Sequence, residues 1–226
     1  MLVGAEHACG YLPGRRACSA FLDPAFRLDR HLYGELLARG FRRSGSLAYR
    51  PACTACAACL SVRIPAARFR PDRAQKRCLR RNAGLALRST ATPSAEQYAL
   101  YRDYLHWRHP DGGMDPEDRL AFCDFLTAPW GGAEFWEWRT DGRLLVCAVV
   151  DRLPRALSAV YTFYAPEAAG RGLGTYAILQ LIDHARRRDI AHVYLGYWVS
   201  GSPKMDYKRR FRPLEVLGTQ GWVQME

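Results

Sequence analysis

The sequence predicts a mixed α/β (α+β) protein, and three observations carry that reading. The chain has 226 residues, of which 49% are apolar, 12% aromatic and 24% charged, the profile of a globular chain long enough to bury a core. Helical and strand-like periodicities alternate along it. In the second half, three apolar strands, a glycine turn, a long amphipathic helix and one more apolar strand follow in that order.

The elements follow in chain order. Residues 1–27 read as irregular, with turns at Tyr11-Leu12-Pro13-Gly14 and Asp23-Pro24. A helix spans 29–38, with Leu32, Leu36 and Leu37 on one side and Gly40 as its stop. GFRRSGSLAYRP (40–51) reads as a strand or hairpin arm, and a cysteine loop leads to a strand near 61–69. RAQKRCLRRN (73–82) is a basic helix and GLALRST (84–90) a short strand. A boundary at Ala91–Pro93 divides residues 1–92, with the cysteine loop, from a second domain, 93–226. Helices follow at 94–109 and 116–126. The strands EFWEWRT, RLLVCAVVD and ALSAVYTFY come next, the first two joined by the hairpin turn Asp141-Gly142. A glycine turn opens a helix at 171–188, AHVYLGYWV (191–199) reads as a buried strand, and the tail is a basic loop with a last strand or hairpin. Both halves run helix, strands, helix, strand, which suggests a duplicated α/β unit.

Charge narrows the function classes. The formal net charge of +11 favours a polyanionic partner, nucleic acid first. No apolar run approaches the roughly 18–20 residues that span a bilayer. MLVGAEHACGYLPGRR lacks the basic start and apolar core of a secretory signal. The chain is therefore expected in the cytoplasm, with its eight cysteines as thiols or metal ligands and not as a disulfide framework. Arg73, Arg77, Arg80 and Arg81 share one face of the basic helix. GSPKMDYKRRFRP adds a second cationic run interleaved with Tyr207 and Phe211, suited to phosphates and unpaired bases. No sequence-reading module is present, so the chain reads as an enzyme that grips nucleic acid by its backbone.

The order of elements in 144–199 resembles the GCN5-related N-acetyltransferase fold, in which a Q/R-x-x-G-x-G/A turn presents backbone N–H groups to a pyrophosphate. Gly172 and Gly174 match its glycines, but Ala169 stands where Gln or Arg belongs. That departure argues against a CoA-dependent acetyltransferase and leaves open a simple strand-to-helix turn.

Longer motifs carry a second, more specific resemblance. CGYLPGR (9–15), Asp23-Pro24, GFRRSGSLAYRPAC, CAACLSVR, FRPDRAQKR, RHPDGGM (108–114), SAVYTFY, GLGTYAIL, VYLGYWV and KMDYKRRFRP occur in order along nearly the whole chain. Together they resemble the bacterial aspartate/glutamate leucyltransferases, relatives of the arginyl-tRNA–protein transferases. The resemblance implies transfer of leucine from leucyl-tRNA to the N-terminal α-amine of proteins beginning with Asp or Glu, marking them for degradation. It implies a GCN5-related fold, with charged tRNA and an acidic-N-terminus protein as partners and no membrane. Arginine as the transferred group and a non-catalytic RNA- or zinc-binding module are the competing readings.

Within that frame, His109 is the candidate base or proton relay, and the alternative for it is a helix C-cap. Asp111 either orients His109 or caps the next turn. Tyr197 and Trp198 lie on the strand where the fold opens its acyl cleft; Tyr197 is the candidate donor to the intermediate, and both also suit a core. A guanidinium fork suits the acceptor's carboxylate, which nominates Arg77 and Arg108, with Lys76 second. Lys204, Lys208, Arg209 and Arg210 are the expected tRNA contacts. The chemistry requires no cofactor. Cys53, Cys56 and Cys59 form C-x-x-C-x-x-C, one thiolate short of a zinc or iron–sulfur set. The relatives' metal-binding cysteines implicate Cys9 as the fourth, although Leu12 replaces the second cysteine of their N-terminal pair. Reduced structural thiols are the alternative.

Overall fold

The computed structural model describes residues 1–110 and 112–226. The first third holds β1 (Leu2–Val3), β2 (His7–Ala8), β3 (Arg16–Ala17), β4 (Ser19–Phe21), α1 (Arg30–Ala38), β5 (Arg42–Ser44), β6 (Leu47–Pro51) and β7 (Cys59–Pro65). Then come α2 (Arg73–Arg81), β8 (Ala86–Thr90), α3 (Ala95–Arg108) and α4 (Arg119–Leu126). The remainder is β9 (Ala133–Thr140), β10 (Arg143–Arg152), β11 (Ala156–Tyr164), a 3₁₀ turn at Pro166–Arg171, α5 (Leu173–Arg187), β12 (His192–Val199), a 3₁₀ tail helix at Pro203–Arg210, β13 (Glu215–Gly218) and β14 (Gly221–Gln224).

Capping residues set the helix starts. Asp72 and Ser94 close reciprocal capping boxes with Gln75 and Gln97 at α2 and α3. The 116–126 helix begins later than expected, at Arg119, because the Asp118 carboxylate accepts from the Ala121 N–H. The segment 1–27 is not irregular throughout: β1 and β4 join β6 and β5 in a four-stranded antiparallel sheet, and β2 pairs β3. Strands of two or three residues are too short to show a period in sequence.

The main sheet has eight strands in the order β14-β13-β7-β12-β11-β10-β9-β8. β8 to β11 run antiparallel to their neighbours, and β11 meets β12 in parallel across α5. The run of β10, β11, glycine turn, α5 and β12 is the order of elements read from residues 144–199 of the sequence. The N-terminal half does not form a second separate sheet of this kind. β7 and β8 cross the 92/93 boundary into the main sheet, and Val62 and Ile64 lie in the same core as Leu145, Val149 and Phe163. Among the described residues, no helix is long and apolar enough to cross a membrane.

The parallel pairing of β11 with β12 covers three residue pairs, Ala156–Ser158 against His192–Tyr194. On its other side β12 pairs β7 from His192 to Val199, with a register shift between Tyr194 and Tyr197, while its pairing with β11 ends at Tyr194. Gly196, at φ +76°, supplies the left-handed residue of that shift. The two central strands therefore part at their C-terminal ends, and the sheet opens there.

Candidate active site

The opening is bordered by the end of β11, the C-terminus of α3 and the tail helix. Tyr104 and Tyr164 stack edge-on with centroids 5.0 Å apart, and the His109 ring meets Tyr104 at 5.8 Å. His109 is the C-cap of α3, its N–H bonded to the Leu105 carbonyl at 2.8 Å. Burial, then the charges of Arg108 and Lys204, hold its imidazole below the usual histidine value. The ring is therefore neutral near pH 7 and able to accept a proton. Cap and base are compatible here, since the cap uses only the backbone. Asp111, suggested as its orienting partner, lies outside the described residues.

The tail splits into an exposed and a buried set. Lys204, Arg209 and Arg210 are exposed, and Arg209 and Arg210 line an open groove with Asp72, Asp206 and Arg212. Lys208 does not belong with them. Only 5% of it is exposed, and its Nζ donates to the Tyr197 carbonyl at 2.5 Å. The 3₁₀ geometry explains this: with three residues per turn, Ser202, Met205, Lys208 and Phe211 project to one side, toward the sheet. Lys208 is thus removed from the surface tRNA contacts. Burial, then Arg42, lowers its amine to about 7.

Tyr197 has a different partner from the one expected. Its hydroxyl donates to the Gly40 carbonyl at 2.8 Å, which occupies its proton. Trp198 reaches Asp206 through Nε1 at 3.4 Å and lies under the Arg209 guanidinium. Lys76 and Arg77 stand exposed on α2, and Arg108 lies exposed over Trp107. Lys76 and Arg77 thus lie together on α2, and Arg108 at the end of α3.

The cation that sequence reasoning missed is Arg42, on β5. It is 7% exposed and sits over the rings of Tyr194 and Tyr197. Nη1 and Nη2 donate to the Phe41 and Gly196 carbonyls, while Nε is buried without a hydrogen-bond partner. The available signal was the pair Arg42-Arg43 following the apolar Phe41 on a short strand, where alternate faces send the two side chains against opposite neighbours.

The glycine turn is braced by α2. Arg81 donates to the Gly170 carbonyl at 2.7 Å, and the Asn82 amide exchanges hydrogen bonds with Arg171. Gly172 takes φ +72° as the N-cap of α5, so the helix starts at Leu173 and not at Arg171.

Burial, then Cys53, Cys9 and Cys56 in that order, lifts the Cys59 thiol to about 11. Cys53 also bonds Cys18, its Sγ accepting from the Cys18 N–H at 3.4 Å. Among the described residues, no three Cys, His, Asp or Glu side chains stand at metal-ligand geometry.

Comparison with known proteins agrees along the chain. The family model for the arginine-tRNA-protein transferase N terminus matches residues 7–77, and that for its C terminus matches 96–218. A curated relative in Halorhodospira halophila, an aspartate/glutamate leucyltransferase, is 51% identical across 97% of this chain and 94% of its own. Relatives of the same name in Stenotrophomonas maltophilia and Pseudomonas putida are 51% and 49% identical over 96% and 97% of the chain, and 89% and 94% of theirs. Among solved structures, L-PGS from Bacillus licheniformis aligns with a TM-score of 0.45 at 14% identity, over 74% of this chain and 48% of that one. A GCN5-related glucosamine N-acetyltransferase region of a fungal β-N-acetylglucosaminidase gives 0.42 at 11% identity, over 86% and 21%. At those scores neither structure adds to what the sheet topology shows. With both family models matched and half its residues shared with curated members across nearly its full length, the chain belongs to the arginine-tRNA-protein transferase family, among its aspartate/glutamate leucyltransferases.

Proposed function

We propose that this protein transfers leucine from leucyl-tRNA to the N-terminal α-amine of proteins beginning with Asp or Glu, in the cytoplasm, marking them for degradation. The observation that carries the reading is the roughly half identity to aspartate/glutamate leucyltransferases over 97% of the chain. The geometry supports it with a sheet opening beside exposed cations and a glycine turn already braced by protein.

The reaction is aminolysis of an ester. The amine nitrogen attacks the leucyl carbonyl carbon, the tetrahedral oxyanion collapses, and the tRNA ribose oxygen leaves with a proton. An α-amine of pKa about 7.7–8 is already about a tenth neutral at pH 7, so a strong base is unnecessary. Positioning supplies most of the rate, about 7–11 kcal/mol, and donors to the oxyanion add about 3–4 kcal/mol. His109 accepts the proton shed by the attacking amine and returns it to the ribose oxygen, worth about 100-fold. Lys204, Arg209 and Arg210 hold the acceptor stem through its phosphates. The reaction needs no cofactor, and the cysteine cluster shapes the N-terminal loop.

The test is transfer from separately charged leucyl-, arginyl- and phenylalanyl-tRNA to peptides beginning with Asp, Glu, Lys or Ala, with and without a chelator. Leucine on Asp and Glu alone is the expected result. Arginine transfer would keep the family and change the donor, and no transfer from any tRNA would remove the reading. Loss of transfer with chelator would give the cysteines a metal after all. His109→Ala is expected to lower kcat by about 100-fold; an unchanged kcat would take the base role from it.

A further inference from the structure

We infer that Arg42 and Lys208 form the receptor for the acceptor's acidic side chain, a buried carboxylate site at Gly196 on the floor of the sheet opening. The inference rests on the transferase reading above and assigns the specificity of that site.

Three observations carry it. First, two cations are buried side by side with no counter-charge. Among the described residues no carboxylate lies in salt-bridge range of either Arg42 or Lys208, although they are 7% and 5% exposed. A guanidinium keeps its proton in proteins, and an unpaired buried charge is costly, so such a site asks for an anion. Second, Arg42 Nε is buried without a partner, a charged donor left unused. Third, Gly196 lies against both cations. The point where a β-carbon on Gly196 would stand lies 3.8 Å from Arg42 Nε and 3.9 Å from Lys208 Nζ. Glycine at this register shift leaves that position without a side chain beside both nitrogens.

Position then decides the occupant. Gly196 lies where β12 leaves β11, at the root of the opening. In an N-terminal Asp or Glu the carboxylate and the α-amine belong to one residue. Anchoring the first at Gly196 therefore sets the second in the opening, where the ester arrives. A tRNA phosphate is the other anion in the reaction, but a phosphodiester continues in both directions and does not enter a site this enclosed. The terminal group of a side chain does.

Lys208 is faced by Arg42 from β5, by the Tyr197 carbonyl from β12 and by the ring of Tyr207 on its own helix; Tyr33, Tyr49, Tyr194 and Tyr197 ring Arg42. None of these is an acid at neutral pH. A bound carboxylate would stabilise the lysine proton, so acidic acceptors bind best below about pH 7 and weaken as pH rises through the lysine's elevated value in the complex.

Peptides beginning with Asp and with Asn, identical otherwise, would be titrated by calorimetry into the full-length protein, Lys208→Met, Lys208→Arg and Arg42→Gln. Charged tRNA binding would be measured in parallel, and each variant's fold checked by its melting curve. The expected result is a preference for Asp over Asn of at least tenfold in the wild type, lost in Lys208→Met and Arg42→Gln and largely kept in Lys208→Arg, with tRNA affinity within twofold. A purely structural role would weaken both peptides alike and leave the preference standing, which would overturn the inference. Weakened tRNA binding with the Asp preference intact would overturn it too, assigning the cations to phosphate. The titration does not depend on turnover: if no leucine were transferred from any tRNA, the functional reading would fall while the Asp preference still decided whether this is a carboxylate site.

Discussion

Arg42 and Arg43 are adjacent on β5 and both buried, yet their surroundings are opposite. Arg43 reaches Asp151 through Nε and Nη2 at 2.7–3.0 Å, and its remaining N–H groups donate to the carbonyls of Phe125, Leu126 and Thr127. That cation is neutralised, saturated and tied to the C-terminal end of α4, so it needs nothing from outside. Arg42 has two backbone carbonyls, aromatic faces, an idle Nε and a second cation for a neighbour. The difference teaches how to separate a structural buried charge from one held ready for a ligand. What distinguishes them is whether the protein supplies the counter-charge itself.

The contrast is open to attack from four sides. The largest effect is expected at Asp151. Asp151→Ala leaves Arg43 buried and unpaired and should cost about 3–5 kcal/mol in urea unfolding; a loss under 1 kcal/mol would mean that the pair is not structural. The matching change on the other side, Lys208→Met, removes a charge that already lacks a partner. Stability should stay level or rise by about 1 kcal/mol while acidic-acceptor selectivity falls. A large loss of stability would make Lys208 structural instead.

The third expectation concerns pH. Lys208 has its amine lowered in the folded protein to about 7, whereas in the unfolded chain it titrates near 10.4. Between those values the unfolded state binds the extra proton, so this group adds stability as pH rises from about 7, and its cost is fully present below that. Unfolding of the wild type and Lys208→Met at pH 6 and pH 9 should show the variant's relative advantage shrinking at the higher pH. The smallest effect belongs to an exposed pair. Asp183 and Arg187, at 2.5 Å and one turn apart on α5, should yield less than about 0.5 kcal/mol on Asp183→Asn. A loss rivalling that at Asp151 would dissolve the distinction between buried and surface charge.

Much of this architecture was legible in the sequence because it is local. Capping residues, the Asp141-Gly142 hairpin turn and the apolar alternation of β9 to β11 are written in neighbouring residues, and the order of elements around Gly172 gave the fold. What was not legible is non-local. That β7 pairs with β12 and β13, joining the N-terminal half to the main sheet, is a register set by tertiary packing. The site divided in the same way. His109 was found from its motif and does border the opening, and the exposed tail cations stand where their run suggested. Lys208 was misread because a run of like charges looks solvated from end to end, whereas a 3₁₀ helix turns every third residue inward. Arg42 was passed over because its meaning lies in an absence, the missing carboxylate, which only the packed neighbours reveal.

The ratio of kcat/KM for leucine transfer to Asp-first over Asn-first peptides, compared between the wild type and Lys208→Met, tests the central claim most directly. The account predicts that the wild-type ratio, at least tenfold, falls to within about twofold of one in the variant, through KM for the Asp peptide. An unchanged ratio, with both peptides slowed alike or neither slowed, would contradict it.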